Sequence, residues 1–357
     1  MPIARRRTRR AVAASAVVLL AATACSSGKA ATPTTQRTSP LTTAATPTTP
    51  VTAAPPPVAP LTGLPQPDPA KLSRVALAVK IDNVDPARPQ AGLGAADVVY
   101  EEMVEDGLTR LIAVFQSTDA ARVGPVRSTR TTDLDVVAPL NHPLYAYSGG
   151  NPSYVAQLRA GPVTDVGADA DGGAYFRSGP HAQPHNLYTS TPALFRVATG
   201  APHPPGPLFT YRAAAQPLVN PAVPASHLAL SFPMAAVGWD WDAAAQVWKR
   251  SQNGSADVDE TGQITAANVI VQLIPYVTDG YAVGEGISPP PPIPKGQSVG
   301  SGTALVLTGG GVINATWTKT SSAAATVFTD STGKPIALAP GRTWVELAPV
   351  GTAPSVH

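Results

Sequence analysis

The chain has one cysteine, Cys25, and it lies in a segment typical of exported proteins. An arginine-rich start is followed by a short apolar run, Ala11 to Ala22, and then by small residues up to the cysteine. A basic region, a short apolar region and a small-residue cleavage site make a secretory signal peptide. A lone cysteine forms no disulfide within its own chain, so the exported fold needs a real hydrophobic core. The hydrophobic content, 43% of 357 residues, is sufficient for one.

Cys25 is also the expected site of a lipid anchor. It stands between Ala22-Thr23-Ala24 and Ser26-Ser27-Gly28, a pattern similar to a bacterial lipobox, in which the cysteine is acylated and becomes the new N-terminus. The apolar run is shorter than the about 20 residues that a transmembrane helix needs. We therefore expect a signal peptide over 1–24, a palmitate-type modification of Cys25, and an extracytoplasmic protein anchored to the bacterial cell membrane. The alternative is an ordinary signal peptide that happens to contain a cysteine.

The charge balance of the mature chain argues against nucleic acid as a partner. The formal net charge is +2, but residues 1–24 carry five of the 25 basic residues and none of the 23 acidic ones. The remaining 20 basic and 23 acidic residues give −3, so there is no general basic field. Charged residues make up only 13% of the chain, so a local cluster of them needs an explanation.

Composition divides the mature chain into a tether and two folded segments. Residues 25–70 are mostly Ser, Thr, Ala and Pro, a composition that buries too little apolar surface to fold and that predicts a disordered tether. Residues 71–215 alternate apolar runs with helical patterns, which predicts a mixed α/β layered domain. Residues 222–350 contain short apolar runs separated by turns, which predicts a mostly β domain. The expected fold class is therefore α+β.

Apolar runs and turn residues locate the individual elements. In the first segment we predict strands over 75–81, 96–101, 110–115 and 144–147, and helices over 132–138, 152–159 and 191–199, the last with Thr191 as its N-cap. In the second segment we predict strands over 228–232, 237–241, 247–251, 269–276, 303–307, 312–317, 326–330 and 343–347. We also predict a hairpin turn at 259–262 and a stiff loop over the prolines of 289–294.

Polar residues gather near strand ends in the first segment, where α/β folds commonly place ligand sites. The candidate ligand-binding residues are Asp82, Asn83, Arg88, Asp97, Glu101, Glu105, Arg110, Arg127, Arg130, His185, Asn186 and Tyr188. Guanidinium groups match carboxylate and phosphate oxygens two at a time, so Arg110, Arg127 and Arg130 are candidates for an anion clamp. The alternative is that these arginines pair internally with Glu101, Glu102 and Glu105 and hold the layers together.

Several of these motifs, in order, resemble the YerB-like lipoproteins, the family of the DUF3048 domain. The similar segments are Ile81-Asp82-Asn83, Ala87 to Leu93, Ala96 to Glu101, Glu105 to Arg110, Gly124 to Arg130 and Pro184 to Ser190 in the first segment, and Asn268 to Val271, Thr316-Trp317, Phe328 to Gly333 and Pro340 to Trp344 in the second. The resemblance covers about residues 60–350. It implies an envelope location and a two-part architecture, but no particular reaction.

A second, partial resemblance is to the LytR-CpsA-Psr phosphotransferases, which move polyprenyl-pyrophosphate-linked polymers onto the cell wall. The order Asp82, Asp97, Pro125, Arg127 and the Tyr145 to Gly150 strand end is similar, although Ala95 stands where that family has an arginine. This resemblance implies a Mg²⁺-dependent phosphotransferase or pyrophosphatase, with Asp82 and Asp97 as metal ligands. It is the alternative to the function that we expect first, a lipoprotein that binds an anionic or glycan ligand of the cell envelope through this Arg/Asp cluster. The expected partners are a cell-wall polymer or a polyprenyl phosphate.

Other motifs leave alternatives open. His185, beside Asn186, is a candidate acid, base or oxyanion donor, or a residue that fixes its loop by hydrogen bonds. The tryptophans 239, 241 and 248 are candidates for glycan stacking or for the core of the sheet. No Gly-x-Ser-x-Gly motif supports a serine hydrolase, and the spacing of His and Cys does not predict a zinc site. Catalytic residues are therefore not assigned.

Overall fold

A computed structural model describes residues 56–198, 203–214, 216–281 and 291–357. The predicted signal peptide, Cys25 and residues 26–55 of the predicted tether lie outside the described residues. The rest of the expected tether is folded, contrary to the prediction. Leu61 is fully buried, and a short helix begins at Pro69. The composition of residues 56–70 hides this because only a few apolar side chains anchor the segment.

Helices form a small part of the described structure. The α-helices are α1 (Pro69–Ser73), α2 (Thr132–Val137), α3 (Pro152–Ala160) and α4 (Thr191–Arg196). Short 3₁₀ segments are Asp85–Ala87, Leu93–Ala95, Glu105–Gly107, Ala138–Leu140 and Gly172–Ala174. The N-cap of α4 is Ser190, whose Oγ accepts a hydrogen bond from the Ala193 amide at 3.2 Å, so the assignment of Thr191 as N-cap was one residue late. None of the helices described is long and apolar enough to cross a membrane.

Strands dominate both halves. The strands up to residue 211 are β1 (Leu77–Asp82), β2 (Val98–Met103), β3 (Thr109–Phe115), β4 (Leu144–Ala146), β5 (Thr164–Asp165), β6 (Phe176–Arg177), β7 (Leu187–Tyr188) and β8 (Thr210–Tyr211). The later strands are β9 (Val223–Pro224), β10 (His227–Phe232), β11 (Ala235–Asp242), β12 (Val247–Gln252), β13 (Ser255–Ala256), β14 (Val258–Asp259), β15 (Gly262–Gln263), β16 (Thr265–Ala266), β17 (Asn268–Ile274), β18 (Tyr276–Tyr281), β19 (Pro292–Gly296), β20 (Gly300–Thr308), β21 (Gly311–Lys319), β22 (Val327–Thr329), β23 (Ala337–Leu338), β24 (Thr343–Pro349) and β25 (Ser355–Val356).

One large sheet takes strands from both halves of the chain. Its order is β22-β21-β20-β17-β24-β2-β3-β1-β4-β5, and β9 pairs with β21. The junction is β24, which runs parallel to β17 on one side and to β2 on the other. Thr343 faces both Asn268 and Val98 in these registers. Strands from the two predicted segments are therefore continuous neighbours in one sheet.

Alternation along the strands gives the large sheet two apolar faces, because successive side chains point to opposite sides. On β1, Leu77, Val79 and Ile81 belong to a core shared with the smaller sheet of β10–β13, β16 and β25. Ala78 belongs to a second core on the other face, under α2 and α3. Lys80 and Asp82 share the face of Ala78, so two charged groups project into the second layer.

The fold class is α+β with a mostly β C-terminal part, as expected. The hairpin turn at 259–262 is confirmed by the pairing of β14 with β15. The stiff loop predicted over 289–294 is wrong in its described part, since Pro292–Gly296 forms β19 and pairs with β18. The glycan-stacking role is also wrong for Trp239 and Trp248, because both are fully buried in the core.

Candidate functional site

The candidate site begins where β1 ends and β3 begins. Asp82 on β1 and Glu102 on β2 both lie opposite Arg110 on β3. Directly opposed residues of antiparallel strands share a face of the sheet, so these three side chains project together into the layer of α2 and α3. The register thus brings Asp82 and Arg110 to one place, as the sequence predicted.

A loop over residues 123–130 adds two more arginines to this place. The Asp82 amide donates to the Pro125 carbonyl, and the Arg127 amide donates to the Lys80 carbonyl, both at 2.9 Å. The Thr129 amide donates to Gly149 at 3.1 Å. At the neighbouring Gly150 a Cβ would lie 2.7 Å from a Thr129 methyl carbon, so only glycine allows this close approach.

Asp82 is buried and contacts two cationic or polar partners. Its Oδ2 lies 2.9 Å from Arg127 Nε and 2.8 Å from His185 Nδ1. The Arg127 contact is an ion pair without hydrogen-bond geometry, since its Nε has no hydrogen-bond partner among the described residues. The His185 contact fixes the ring and leaves Nε2 as its other polar atom. Three of the candidate ligand-binding residues, Asp82, Arg127 and His185, therefore lie together.

Arg130 is paired internally. Its Nε and Nη2 donate to Glu105 Oε2 at 2.9 and 2.7 Å. Burial opposes the ionisation of Glu105, but the charge and hydrogen bonds of Arg130 outweigh it and hold the pKa of this carboxyl below its usual value. For Arg130 the internal-pairing interpretation thus applies.

Arg110 has no such carboxylate partner among the described ion pairs. It is only 8% exposed, and its Nη1 donates to the Ser128 carbonyl at 2.9 Å, a group that Arg130 Nη1 also approaches at 3.4 Å. Burial, followed by the charges of Arg130 and Arg127, lowers the pKa of Arg110 to about 10. We call Arg110, Arg127 and Arg130, with Asp82 and Glu105, the Arg110 cluster. It contains a buried guanidinium whose charge is not individually compensated.

A second charged group lies on the same face and was not predicted. Lys80 Nζ contacts Glu102 and donates to Asp133 Oδ1 at 2.6 Å, with all three side chains fully buried. Asp133 Oδ2 also accepts from the Arg130 amide at 2.7 Å and from Tyr145 OH at 2.5 Å. Burial and the Asp133 charge raise the pKa of Glu102 to about 8. The signal in the sequence is a lysine inside an otherwise apolar strand.

Three of the predicted ligand residues belong instead to a buried network that joins the two halves. Glu101 Oε2 accepts from Arg250 Nη2 at 2.5 Å, and its Oε1 accepts from Asn83 Nδ2 at 3.0 Å. Arg250 also contacts Asp257, which accepts from Arg88 Nη2 at 2.7 Å. We call these five residues the Arg250 network. Asn83, Glu101 and Arg88 therefore have internal partners on the opposite side of the sheet from the Arg110 cluster.

Asp97 and Asp82 lie beside opposite ends of strand β3. Its amide donates to Val114, whereas Asp82 is opposite Arg110, so the two positions are about 13 Å apart along β3. The Asp97 carboxylate accepts from the amides of Gln116 and Ser117 at 2.6 and 2.8 Å. The expected Mg²⁺ pair of Asp82 and Asp97 is therefore not formed. Within the described ranges, no group of three or more His, Cys, Asp or Glu side chains is arranged to hold a metal.

Asn186 and Tyr188 also lie outside the Arg110 cluster. Asn186 Oδ1 accepts from Arg177 Nη1 at 2.7 Å on the surface. Tyr188 is buried, and the guanidinium of Arg122 lies 3.7 Å from the centre of its ring. Both residues stabilise the loop that carries His185, so sequence proximity to His185 did not imply a shared site.

Comparison with known proteins supports the resemblance seen in the sequence. The model "Protein of unknown function (DUF3048) N-terminal domain" matches residues 61–203, and the corresponding C-terminal domain model matches residues 228–345. The chain belongs to the DUF3048 family. Among its relatives is "Putative lipoprotein YerB" of Bacillus subtilis (strain 168), which is 28% identical over 291 residues, covering 79% of this chain and 84% of YerB.

The DUF3048 fold is also present in a solved structure. The crystal structure of YerB from Bacillus subtilis superposes with a TM-score of 0.70 at 25% sequence identity, covering 84% of this chain and 99% of the YerB chain. The similarity therefore extends over both family segments and through the shared sheet.

Proposed function

We propose that this DUF3048 protein is a lipid-anchored extracytoplasmic protein that binds an anionic ligand of the cell envelope through the Arg110 cluster. The observation that carries the proposal is the state of Arg110. A guanidinium that is 8% exposed and bonded only to a carbonyl lies beside two further arginines. Such an arrangement costs free energy in the unliganded protein, and a bound anion offsets this cost.

The charge count supports an anion as the ligand. The Arg110 cluster contains three guanidinium groups and two carboxylates, Asp82 and Glu105, so one positive charge remains unbalanced. A phosphate or carboxylate would neutralise this excess and would accept the hydrogen bonds that the arginines still offer.

Arg127 is the arginine best placed to contact the ligand. Its side chain is 24% exposed, and no described residue accepts a hydrogen bond from it. Asp82 holds the guanidinium in place by charge, while the Nη atoms keep their donors available. Arg127 therefore supplies the outer part of the proposed site and Arg110 the inner part.

The anchor sets where this binding takes place. The lipobox-like sequence at Cys25 and the relative named a putative lipoprotein both support lipidation. About 30 residues between Cys25 and the folded part give a reach of about 30 Å as a flexible coil, or about 90 Å if fully extended as polyproline. The ligand is thus a component of the membrane surface or of the adjacent wall.

Binding is a better-supported function than the alternatives. The Mg²⁺-dependent phosphotransferase interpretation depended on Asp82 and Asp97 acting on one metal, and these residues lie at opposite ends of β3. A glycan platform depended on tryptophans, of which Trp239 and Trp248 are in the core. We therefore assign no reaction to the Arg110 cluster.

Isothermal titration of the full chain with inorganic phosphate, pyrophosphate, teichoic-type polymer and peptidoglycan fragments tests the proposal. We expect saturable binding of at least one phosphate-containing ligand, weakened about tenfold or more by Arg127→Gln. The matched control is Arg159→Gln, which removes an arginine that is 51% exposed and paired with Asp165 on the surface. Null titrations throughout, or equal effects of the two substitutions, would contradict the proposal.

A further inference from the structure

A groove of about 340 Å³ lies between the paired strands β18 and β19 and the end of β2. Its lining is largely apolar and includes Met103, Val104, Tyr276, Val277 and Pro294. Val277 is 48% exposed, which is high for a large apolar side chain in a paired strand. The volume is at the lower end of the about 300–1,000 Å³ that small-molecule sites occupy. The groove thus offers an accessible apolar surface to a small ligand.

The groove is continuous in the chain with the Arg110 cluster. Its lining residues Val104 and Asp106 flank Glu105, whose carboxylate accepts both hydrogen bonds from Arg130. The apolar groove and the positive cluster therefore adjoin each other across a single short segment.

The hairpin that forms the other wall is held to the same elements. Tyr154 on α3 donates to the Asp279 carbonyl, and the Gly296 amide donates to Thr132 Oγ1 on α2 at 2.9 Å. Tyr276 OH accepts from the Met103 amide at 3.1 Å and donates to the Leu347 carbonyl at 2.8 Å. These hydrogen bonds hold β18 and β19 beside the Arg110 cluster, so the wall of the groove has a fixed position relative to the cluster.

We propose that the ligand of the Arg110 cluster is a phosphate monoester carried on an apolar chain, with the phosphate at Arg110 and Arg127 and the chain in the groove lined by Val277. This inference rests on the proposed function and adds the chemical class of the ligand. A positive pocket that adjoins an apolar groove is complementary to a ligand with one charged end and one apolar end. A lipid-borne phosphate also lies within the reach of a chain anchored at Cys25.

Binding of farnesyl phosphate, inorganic phosphate and farnesol to the full chain tests this inference, with farnesyl phosphate below its micelle-forming concentration. We expect farnesyl phosphate to bind at least about tenfold more tightly than inorganic phosphate, because burying apolar surface adds about 25 cal/mol per Å². Val277→Ser should weaken farnesyl phosphate about five- to tenfold and leave inorganic phosphate unchanged. Decyl phosphate should behave as farnesyl phosphate does, since the groove recognises an apolar chain.

The matched control is Val327→Ser. Val327 is 49% exposed on β22, five strands from β2 and thus about 24 Å away across the sheet. If inorganic phosphate binds through Arg127 but farnesyl phosphate binds no more tightly, or if Val277→Ser and Val327→Ser act alike, the apolar-chain inference is wrong and anion binding stands. If Arg127→Gln changes neither phosphate ligand, the proposed function itself fails.

Discussion

Arg250 and Glu101 form a fully buried ion pair between the two family segments, with Arg250 Nη2 2.5 Å from Glu101 Oε2. Glu101 lies on β2 in the large sheet, and Arg250 lies on β12 in the smaller sheet. Asp257 accepts from the same guanidinium, so one cation serves two carboxylates. Burial opposes the charge of Arg250, but Glu101 and Asp257 outweigh it and raise its pKa. The ion pair therefore joins the two sheets, because the guanidinium of Arg250 neutralises Glu101 of the large sheet as well as Asp257.

Replacing Arg250 by methionine should strongly destabilise the protein. Methionine keeps much of the volume but leaves Glu101 buried without its cation and Asp257 with Arg88 alone, and breaking a buried pair in this way typically costs about 3–5 kcal/mol. Urea unfolding of the full chain measures the change. Arg159→Met is the control, because it breaks a half-exposed pair worth about 0–1 kcal/mol. A loss for Arg250→Met no larger than for Arg159→Met would show that the network does not hold the sheets together.

Replacing Arg110 by methionine should stabilise the unliganded protein and weaken anion binding. The pKa of Arg110 is lowered to about 10, so the folded state disfavours its charge at all lower pH values. Removing that charge should add about 1–3 kcal/mol at pH 7, and Ser128 retains Arg130 as a donor. Thermal unfolding with and without pyrophosphate separates the two effects. A variant that melts earlier and still binds would overturn the role given to Arg110.

Glu102→Gln should change how stability depends on pH. The pKa of Glu102 is raised from 4.5 to about 8, so the folded state holds this proton more tightly than the unfolded state does. The contribution of this group to stability is then greatest below pH 4.5 and falls as the pH rises toward about 8. Glutamine cannot ionise, so the variant should lose this decline. Urea unfolding between pH 5 and pH 8 measures it.

Asp133→Asn is the comparison within the same buried group. The pKa of Asp133 is held below its usual value despite burial, because Lys80 and hydrogen-bond donors favour the carboxylate. The amide cannot accept from the Arg130 amide, Tyr145 and Lys80 at once, so we expect a loss of about 1–3 kcal/mol at pH 7. Equal behaviour of the two variants would contradict the assignment of the proton to Glu102.

Lys319→Met should remove a pH dependence in the alkaline range. Burial lowers the pKa of Lys319 from 10.5 to about 8, and its Nζ donates to the Asp135 carbonyl at 2.8 Å. The unfolded state therefore binds more protons between pH 8 and 10.5, and this lysine makes the wild type gain stability as the pH rises through that range. The gain should be about 3 kcal/mol and should be absent from the variant. Parallel stability curves for the two proteins would refute it.

Local sequence patterns predicted the bounds of helices and strands better than they predicted which strands pair. The run that became β1 and the pattern that became α2 were found within two residues of their bounds, because apolar periodicity depends on neighbours in the sequence. The pairing of β24 with β2 was not found, because Thr343 and Val98 have no local signal in common. Glu101 was misplaced for the same reason, since its partner Arg250 lies in the other segment.

The candidate site was predicted in part. Asp82, Arg110, Arg127 and His185 meet because the order of strand ends and loops brings them to one edge, which a sequence pattern can indicate. Asp97 does not join them because β1 and β2 both run antiparallel to β3. Asp82, at the end of β1, therefore lies beside the start of β3, whereas Asp97, just before β2, lies beside the end of β3. Composition does not encode which end of a strand lies beside which end of its neighbour, so the sequence did not separate Asp97 from Asp82.

The position of β24 in the large sheet has a consequence for biosynthesis. A ribosome makes β24 more than 200 residues after β2, so the edge of β2 lacks this neighbour until residues 343–349 have been made. Pairing between such distant segments is slow, and an open edge attracts other strands in the meantime. A chain that ends before Thr343 should therefore leave both halves without their common strand and should aggregate rather than yield two separate modules.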